Sequence, residues 1–157
     1  MQNKKLRSTV NSKVIKASKE TVYRAFTNPE ALAIWMAPGD MTGKVYSFDL
    51  KVGGGFQMSL FYPDSEKESR GKTSGKEDRF TARFVELNPP EKIVLAINFD
   101  SNNRAFSGEM IMEVTLKSIE ARTKVTIIFT NIPPGIRPED NEAGTELSLE
   151  KLARYVE

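Results

Sequence analysis

Two reactive residue types are missing from this sequence, and their absence limits its chemistry. The 157 residues contain no histidine and no cysteine. Ser-His-Asp catalysis, Cys-His catalysis, disulfides and zinc–thiolate sites are therefore excluded within this chain. Carboxylate, lysine or tyrosine chemistry remains open. The sequence nevertheless predicts no catalytic set, no metal site and no cofactor.

The most interesting polar candidate is Glu142, in the first half of a helix predicted over residues 138–157. The apolar stripe of that helix has the spacing i, i+3, i+4, i+7 and consists of Leu149, Leu152, Ala153 and Val156. Traced backward, the stripe reaches Thr145 and Glu142. On this interpretation Glu142 faces the mouth of a cavity and binds a cationic or hydroxylated ligand, or serves as an acid or base. The alternative is a solvated first-turn glutamate that interacts with the helix dipole.

Other candidates have simpler structural explanations. Asp49 is expected to pair with surface charge or to cap a turn. Residues 53–55 are three glycines, but neither a GK[ST] sequence nor a helix follows them, so a turn is favoured over a phosphate-binding loop. The remaining candidates are hydroxyl donors to which spacing assigns no carboxylate partner: Tyr23, Tyr46, Tyr62 and Tyr155. Gly144, within the predicted helix, indicates either a close approach to the sheet or a bend over a cavity.

Composition indicates one ordinary globular domain over residues 1–157. Hydrophobic residues make up 39% and charged residues 28% of the chain, and the formal net charge is +2. Basic residues are scattered among acidic ones, so we expect no nucleic-acid partner. No apolar run has the length of a membrane span, and the N-terminus lacks the apolar core of a signal peptide. We expect no membrane partner and a cytoplasmic location.

The order of elements predicts an α+β fold with an antiparallel sheet. Residues 8–16 have the pattern of a strand, and two short helices follow, the first capped by Ser18 and the second by Asn28. A meander of about six strands with period-two alternation occupies most of residues 41–131. The long helix follows it, and a sheet of this size tends to curl around such a helix. Residues 1–7 are expected to be disordered, and residues 63–79, which are polar and charged, to form a flexible loop.

Four segments resemble a known family. They are PEALAIWMAPGD at residues 29–40, FDLKVGGGF at 48–56, FVELNPPEKIV at 84–94 and SLEKLARYVE at 148–157. In this order and spacing they resemble the bacterial proteins similar to the C-terminal domain of the activator of the heat-shock protein 90 ATPase, in the START-like (SRPBCC) superfamily. The resemblance implies the helix-grip fold, in which a curved sheet wraps around the C-terminal helix.

The resemblance also implies an apolar cavity between the concave face of the sheet and the long helix. Its candidate lining residues are Trp35, Met58, Leu60, Phe84, Leu95, Ile97, Met112 and Phe129. Methionine and aromatic side chains suit an adaptable pocket. The alternative for each of them is that it simply fills the core. For Trp35, which is the only tryptophan, a structural anchor and a cavity wall are compatible interpretations.

Three functions remain open on this basis. The first is a protein without enzymatic activity that encloses a small hydrophobic or aromatic molecule, with Glu142 orienting it. The second is a co-chaperone-like module that binds a chaperone or another protein through its surface. The third is an enzyme similar to the polyketide cyclases and aromatases of the superfamily, which needs a carboxylate in the cavity.

Overall fold

The computed structural model describes residues 7–63 and 77–157. These residues form seven strands, three α-helices and one short 3-10 turn. In chain order they are β1 (Thr9–Ile15), α1 (Lys19–Phe26), α2 (Pro29–Trp35), β2 (Thr42–Phe48), β3 (Gly55–Phe61), β4 (Glu77–Asn88), β5 (Lys92–Phe99), the 3-10 turn (Arg104–Phe106), β6 (Met110–Ile119), β7 (Arg122–Thr130) and α3 (Pro138–Val156).

All seven strands belong to one antiparallel sheet with the order β1-β7-β6-β5-β4-β3-β2. Strands β2 to β7 form the predicted meander, and β1 closes the order by pairing with β7. Alternate side chains of β4, β6 and β7 are buried, as expected for a sheet with one face toward the core. The predicted α+β helix-grip fold is therefore confirmed.

The two short helices begin at the predicted caps. Ser18 Oγ accepts a hydrogen bond from the Thr21 amide at 3.1 Å, and Asn28 Oδ1 accepts from the Glu30 amide at 2.9 Å. Trp35 links α2 to α1, because its indole Nε1 donates to the Ala25 carbonyl at 2.8 Å. This bond satisfies a carbonyl in the last turn of α1, where helices lack internal partners.

Gly53 and Gly54 lie in the turn between β2 and β3, as predicted, and Gly55 is the first residue of β3. Gly53 has φ +89°, a conformation that favours glycine. A Cβ at Gly55 would lie 1.9 Å from the Ala82 carbonyl oxygen of β4, so no side chain fits there. Asp49 lies at this turn, where its Oδ2 is 3.7 Å from Lys51 Nζ. The predicted surface role of Asp49 is consistent with this position.

The last helix is clamped to the core by its C-terminal half. Leu149, Leu152 and Ala153 are buried and Val156 is partly buried against the core. The apolar stripe predicted from spacing is confirmed. The N-terminal half of α3 instead borders a cavity.

The predicted flexible loop overlaps the start of a strand. Residues 64–76 of the predicted loop are outside the described residues, but Glu77, Asp78 and Arg79 belong to β4 and not to a loop. Residues 1–6 are also outside the described part. The side chain of Arg7 donates hydrogen bonds to the carbonyls of Ile132 and Ile136. The charge-rich composition of residues 63–79 obscured the start of a strand.

Candidate functional site: a cavity beneath the last helix

A cavity of about 800 Å³ lies between the N-terminal half of α3, the connection at residues 36–41 and the open end of the sheet. Its larger apolar lining side chains are Trp35, Met36, Met41, Leu60, Phe80, Ile97, Phe99, Phe106, Met110, Met112, Ile127, Phe129, Ile136 and Leu147. Its charged and hydrogen-bonding lining side chains are Asp40, Tyr62, Asp78, Arg137, Asp140, Asn141, Thr145 and Ser148. The size is that of sites for drug-sized ligands, and the mixture of many apolar and few polar groups is also typical of them.

Five of the nine predicted ligand-binding residues line this cavity. They are Trp35, Leu60, Ile97, Met112 and Phe129. Trp35 is 1% exposed and its ring is 4.7 Å from that of Phe26, edge to face, so the same side chain anchors α2 and forms part of the wall. Whether any of the five binds a ligand stays a prediction.

Three predicted residues are in the core and are not part of the cavity lining: Met58, Phe84 and Leu95. Met58 is covered by α2, since a Cβ at Gly43 would lie within 3.0 Å of both Met58 Cε and the Ala33 carbonyl oxygen. Phe84 packs against the rings of Phe48 and Phe56. Alternation assigned all three to the inward face, as observed, but it does not tell which inward residues are covered by another element.

The expected position of Glu142 is wrong. Its side chain is exposed and lines a smaller groove beside β1, where the Glu142 carbonyl accepts a hydrogen bond from Asn11 Nδ2 at 3.1 Å. Thr145 and Gly144 do border the cavity. On the helix the cavity-facing row runs through Asn141, Thr145 and Ser148, and Glu142 is rotated by about 100° from Asn141. Replacing Glu142 by glutamine is therefore no test of chemistry in the cavity.

The cavity contains a carboxylate that the sequence analysis missed. Asp78 is 3% exposed and lies on the inward face of β4, two residues before Phe80 and opposite Leu60 on β3. Tyr62 Oη donates to Asp78 Oδ2 at 3.2 Å. The signal was the alternation of Asp78, Phe80, Ala82 and Phe84, which continues backward into the segment that we expected to be a loop.

The roof of the cavity is held by two polar side chains of α3. Ser148 Oγ donates to the Met36 carbonyl at 2.7 Å, and Lys151 Nζ donates to the carbonyls of Ala37 and Met41. Desolvation by burial lowers the pKa of Lys151, as does the nearby charge of Arg154, while Asp40 opposes this. These bonds attach the connection between α2 and β2 to the last helix.

The other tyrosines lie away from the cavity. Tyr23 is a buried residue of α1, and burial raises its pKa above the usual value for tyrosine. Tyr46 lies on the outer side of the sheet, with the guanidinium carbon of Arg79 4.6 Å from its ring centroid. Tyr155 is exposed on α3. None of the three is among the residues that border the cavity.

The described residues contain neither a metal-binding cluster nor a membrane-spanning helix. Across 7–63 and 77–157, no three acidic side chains are grouped so that they could hold a metal ion. In the same ranges no helix combines the length and apolar character needed to cross a membrane.

A curved antiparallel sheet with a long C-terminal helix over an apolar cavity defines a START-like domain of the helix-grip fold. More specifically, the chain belongs to the family described as activator of Hsp90 ATPase homolog 1-like protein, which matches residues 16–157. The family match confirms the resemblance that the four segments indicated.

Solved structures agree with this assignment. A protein from Chromobacterium violaceum is 33% identical, with 96% of each chain covered and a TM-score of 0.85. An AHSA1-like protein from Aeromonas hydrophila is 22% identical, covers 94% of this chain and 92% of its own, and has a TM-score of 0.68. A protein from Arthrobacter aurescens is 19% identical, with 95% and 85% covered and a TM-score of 0.76. The last two show the fold alone. No curated protein matches the sequence.

Proposed function

We propose that this protein is a cytoplasmic carrier that encloses a small hydrophobic or aromatic molecule between the sheet and α3. The observation that carries the proposal is the cavity of about 800 Å³ with its predominantly apolar wall. Burial of a ligand's apolar surface would supply most of the affinity, at about 25 cal/mol per Å² removed from water before the costs of association. Methionines such as Met110 and Met112 would adapt to its shape.

Trp35 provides a direct assay, because it is the only tryptophan of the chain and it borders the cavity. A neutral aromatic probe, N-phenyl-1-naphthylamine, should bind saturably, gain fluorescence and change the Trp35 emission. Unlabelled aromatic molecules and lipids should then displace it. The carrier function is rejected when neither the probe nor a broad set of apolar compounds binds or raises the melting temperature.

A pair of variants separates cavity binding from surface binding. Leu60→Trp adds an indole inside the cavity, and probe affinity should fall at least about tenfold, which corresponds to about 1.4 kcal/mol. Val10→Trp adds the same group on the outside of β1, where Val10 is 57% exposed, and should leave affinity unchanged. Equal losses in the two variants would show that the probe does not use the cavity.

A second candidate is a co-chaperone-like activator that acts through its surface. It is favoured by the family description and by an apolar patch of Leu50, Val52 and Val85, which are 49%, 61% and 40% exposed. The Gly53 amide donates to the Phe84 carbonyl at 2.9 Å, which brings the β2–β3 turn beside β4. The test is ATP turnover by purified heat-shock protein 90 with the wild type and with Val52→Asp. If neither protein changes the rate of ATP hydrolysis, this candidate is rejected and the carrier function is unaffected.

A further inference from the structure

The first strand, β1, is an edge strand without the features that usually protect the edges of sheets. In the described part of the chain it is the last strand of the order and pairs with β7 alone, over seven consecutive residues without a bulge. It contains no proline. The other edge strand, β2, has a bulge between Val45 and Ser47, and its Gly43 lies against Ala33 of α2. An unprotected edge is a template for pairing with a further strand.

Hydrogen bonds at the two ends of β1 indicate which of its backbone groups face the open edge. The Arg7 carbonyl accepts from the Ile132 amide, just after β7, at 3.1 Å. The Lys16 amide instead donates to Glu157 Oε2, at the end of α3, at 3.0 Å. Because backbone groups alternate in direction along a strand, the odd-numbered residues of β1 pair with β7. The even-numbered residues, whose amides and carbonyls face the open edge, are Val10, Ser12 and Val14.

A groove of about 270 Å³ lies between this edge and α3. Residues 10–13 of β1 line one wall, and since they are consecutive, that wall includes the backbone edge of the strand. The other wall carries Glu142, Glu146 and Glu150, which recur with helical spacing and are exposed. No described residue forms an ion pair with any of these three glutamates. Lys13 is the one basic side chain among the described lining residues, so acidic groups predominate in the groove.

The groove is also bordered by a buried side chain with an unused acceptor. Asn11 is 9% exposed, and its Nδ2 donates to the Glu142 carbonyl at 3.1 Å. Its Oδ1 is buried and accepts no hydrogen bond from the residues that the structure describes. A buried acceptor without a donor is unfavourable. The side chains of the groove therefore call for a ligand that brings donors with positive charge.

A strand added beside β1 would have its side chains nearly in step with the glutamates. Successive glutamates are four residues apart on α3, which is about 6 Å along the helix. Alternate side chains of a strand are about 6.7 Å apart. One set of alternate side chains of the added strand would face the glutamates. The other set would lie beside Val10 and Val14, which are 57% and 44% exposed on the outer face. The fitting sequence alternates basic with apolar residues.

We propose that the β1 edge and the glutamates of α3 bind an extended segment of a partner protein in which lysine or arginine alternates with apolar residues. The segment pairs with β1 as an additional strand of the sheet. A second copy of this chain is a poorer complement, because antiparallel pairing of two β1 strands would place two rows of glutamates side by side. The inference is independent of the cavity and of the proposed carrier function.

Labelled peptides test the inference on the full chain by fluorescence anisotropy. The peptide KVKTKVK, with a fluorescein at its N-terminus, should bind saturably at about 50 mM salt and more weakly at about 500 mM. The peptide EVETEVE, which has the opposite charge, should not bind. The peptide KVKPKVK keeps the charge of the first but lacks the central amide that would pair with Ser12. It should bind at least about tenfold more weakly.

Variants of the protein test the position of the site. Glu146→Lys reverses the charge in the middle of the row and should weaken the binding of KVKTKVK at least about tenfold. Glu139→Lys is the matched control, because Glu139 is exposed on the same helix and lines neither the cavity nor the groove. It should weaken binding by less than about threefold. Ser12→Pro removes an amide that faces the open edge, so it should abolish binding while the pairing with β7 persists.

Each contrary result overturns the inference and leaves the cavity untouched. Equal binding of KVKTKVK and KVKPKVK would show attraction of charge without strand pairing. Equal losses in Glu146→Lys and Glu139→Lys would show that the peptide does not use the groove, and this comparison decides if Ser12→Pro fails to fold. Absence of peptide binding also overturns the inference. Dimers of the free protein that Ser12→Pro abolishes, measured by analytical ultracentrifugation, would assign the edge to a second copy.

Discussion

Gly144 lies in the interior of α3 at a position where the structure leaves room for a side chain. A Cβ built there would meet only Pro38 Cγ within 4 Å, at 3.9 Å, which is ordinary van der Waals contact. Neither a close approach to the sheet nor a clash therefore explains this glycine. Alanine is favoured over glycine by about 0.8–1.0 kcal/mol in a helix interior, because glycine loses more backbone freedom on folding. We expect Gly144→Ala to raise the free energy of unfolding by about 1 kcal/mol.

For a chain of this length, that gain corresponds to a melting temperature about 2–4 °C higher. Thermal and urea unfolding, followed by circular dichroism, measure it. Ala143→Gly is the matched control, since Ala143 is the exposed neighbour in the same helix, and it should cost about as much as Gly144→Ala gains. Gly55→Ala should be strongly destabilising because of the clash with Ala82.

The reasoning is refuted when Gly144→Ala is neutral or destabilising while Ala143→Gly shows its expected loss. Such a result would mean that α3 needs the freedom of a glycine above the cavity, as the interpretation of a bend proposed. The double variant Ala143→Gly/Gly144→Ala provides an internal check. It should have nearly wild-type stability if propensity alone acts at both positions.

Two further predictions concern Tyr23 and Ser148. Because burial raises the pKa of Tyr23 above 10.0, the unfolded state ionises first, and stability is lost as pH rises above 10 through the folded pKa. In urea unfolding between pH 8 and 11, Tyr23→Phe should lose less stability above pH 10 than the wild type. The control Tyr155→Phe, at an exposed position, should lose as much as the wild type. Parallel stability curves for Tyr23→Phe and the wild type would contradict this prediction. Ser148→Ala removes the donor to the Met36 carbonyl and should lower the free energy of unfolding by about 1 kcal/mol. The control Ser47→Ala, at an exposed position in β2, should leave it unchanged. An unchanged melting temperature for Ser148→Ala would show that this hydrogen bond does not stabilise the roof of the cavity.

The parts of the fold that periodicity controls could be predicted from the sequence. The caps at Ser18 and Asn28 are local hydrogen-bonding signals, and the stripe that includes Leu152 and Ala153 repeats with the helical period. Both depend on residues close in sequence. The boundary of β4 was missed because its first residues are charged, and composition was given more weight than alternation. A carboxylate on an inward face gives no apolar signal, even when its neighbours Phe80 and Ala82 do.

The cavity could be predicted only in part, because it is defined by what does not cover the sheet. Met58 and Met112 have the same residue type and both face inward, yet α2 covers the first and the second borders open space. That difference depends on where the helices end, and hence on the connection at residues 36–41. Ser148 and Lys151 hold this connection through backbone carbonyls, which leave no trace in the residue types that they bind.

A related consideration explains why Glu142 was selected as the polar group of the cavity and why Asp78 was missed. Two positions on α3 that differ by one residue differ by about 100° in direction, so the helix places Asn141 toward the cavity and Glu142 toward β1. Along a strand, successive side chains point to opposite faces of the sheet, so Asp78 faces inward like Phe80, two residues further on. The strand therefore determines the direction of its side chains more simply than the helix does. The direction of the Asp78 side chain follows from the sheet register, whereas the direction of a side chain on α3 depends on the rotation of the helix about its axis.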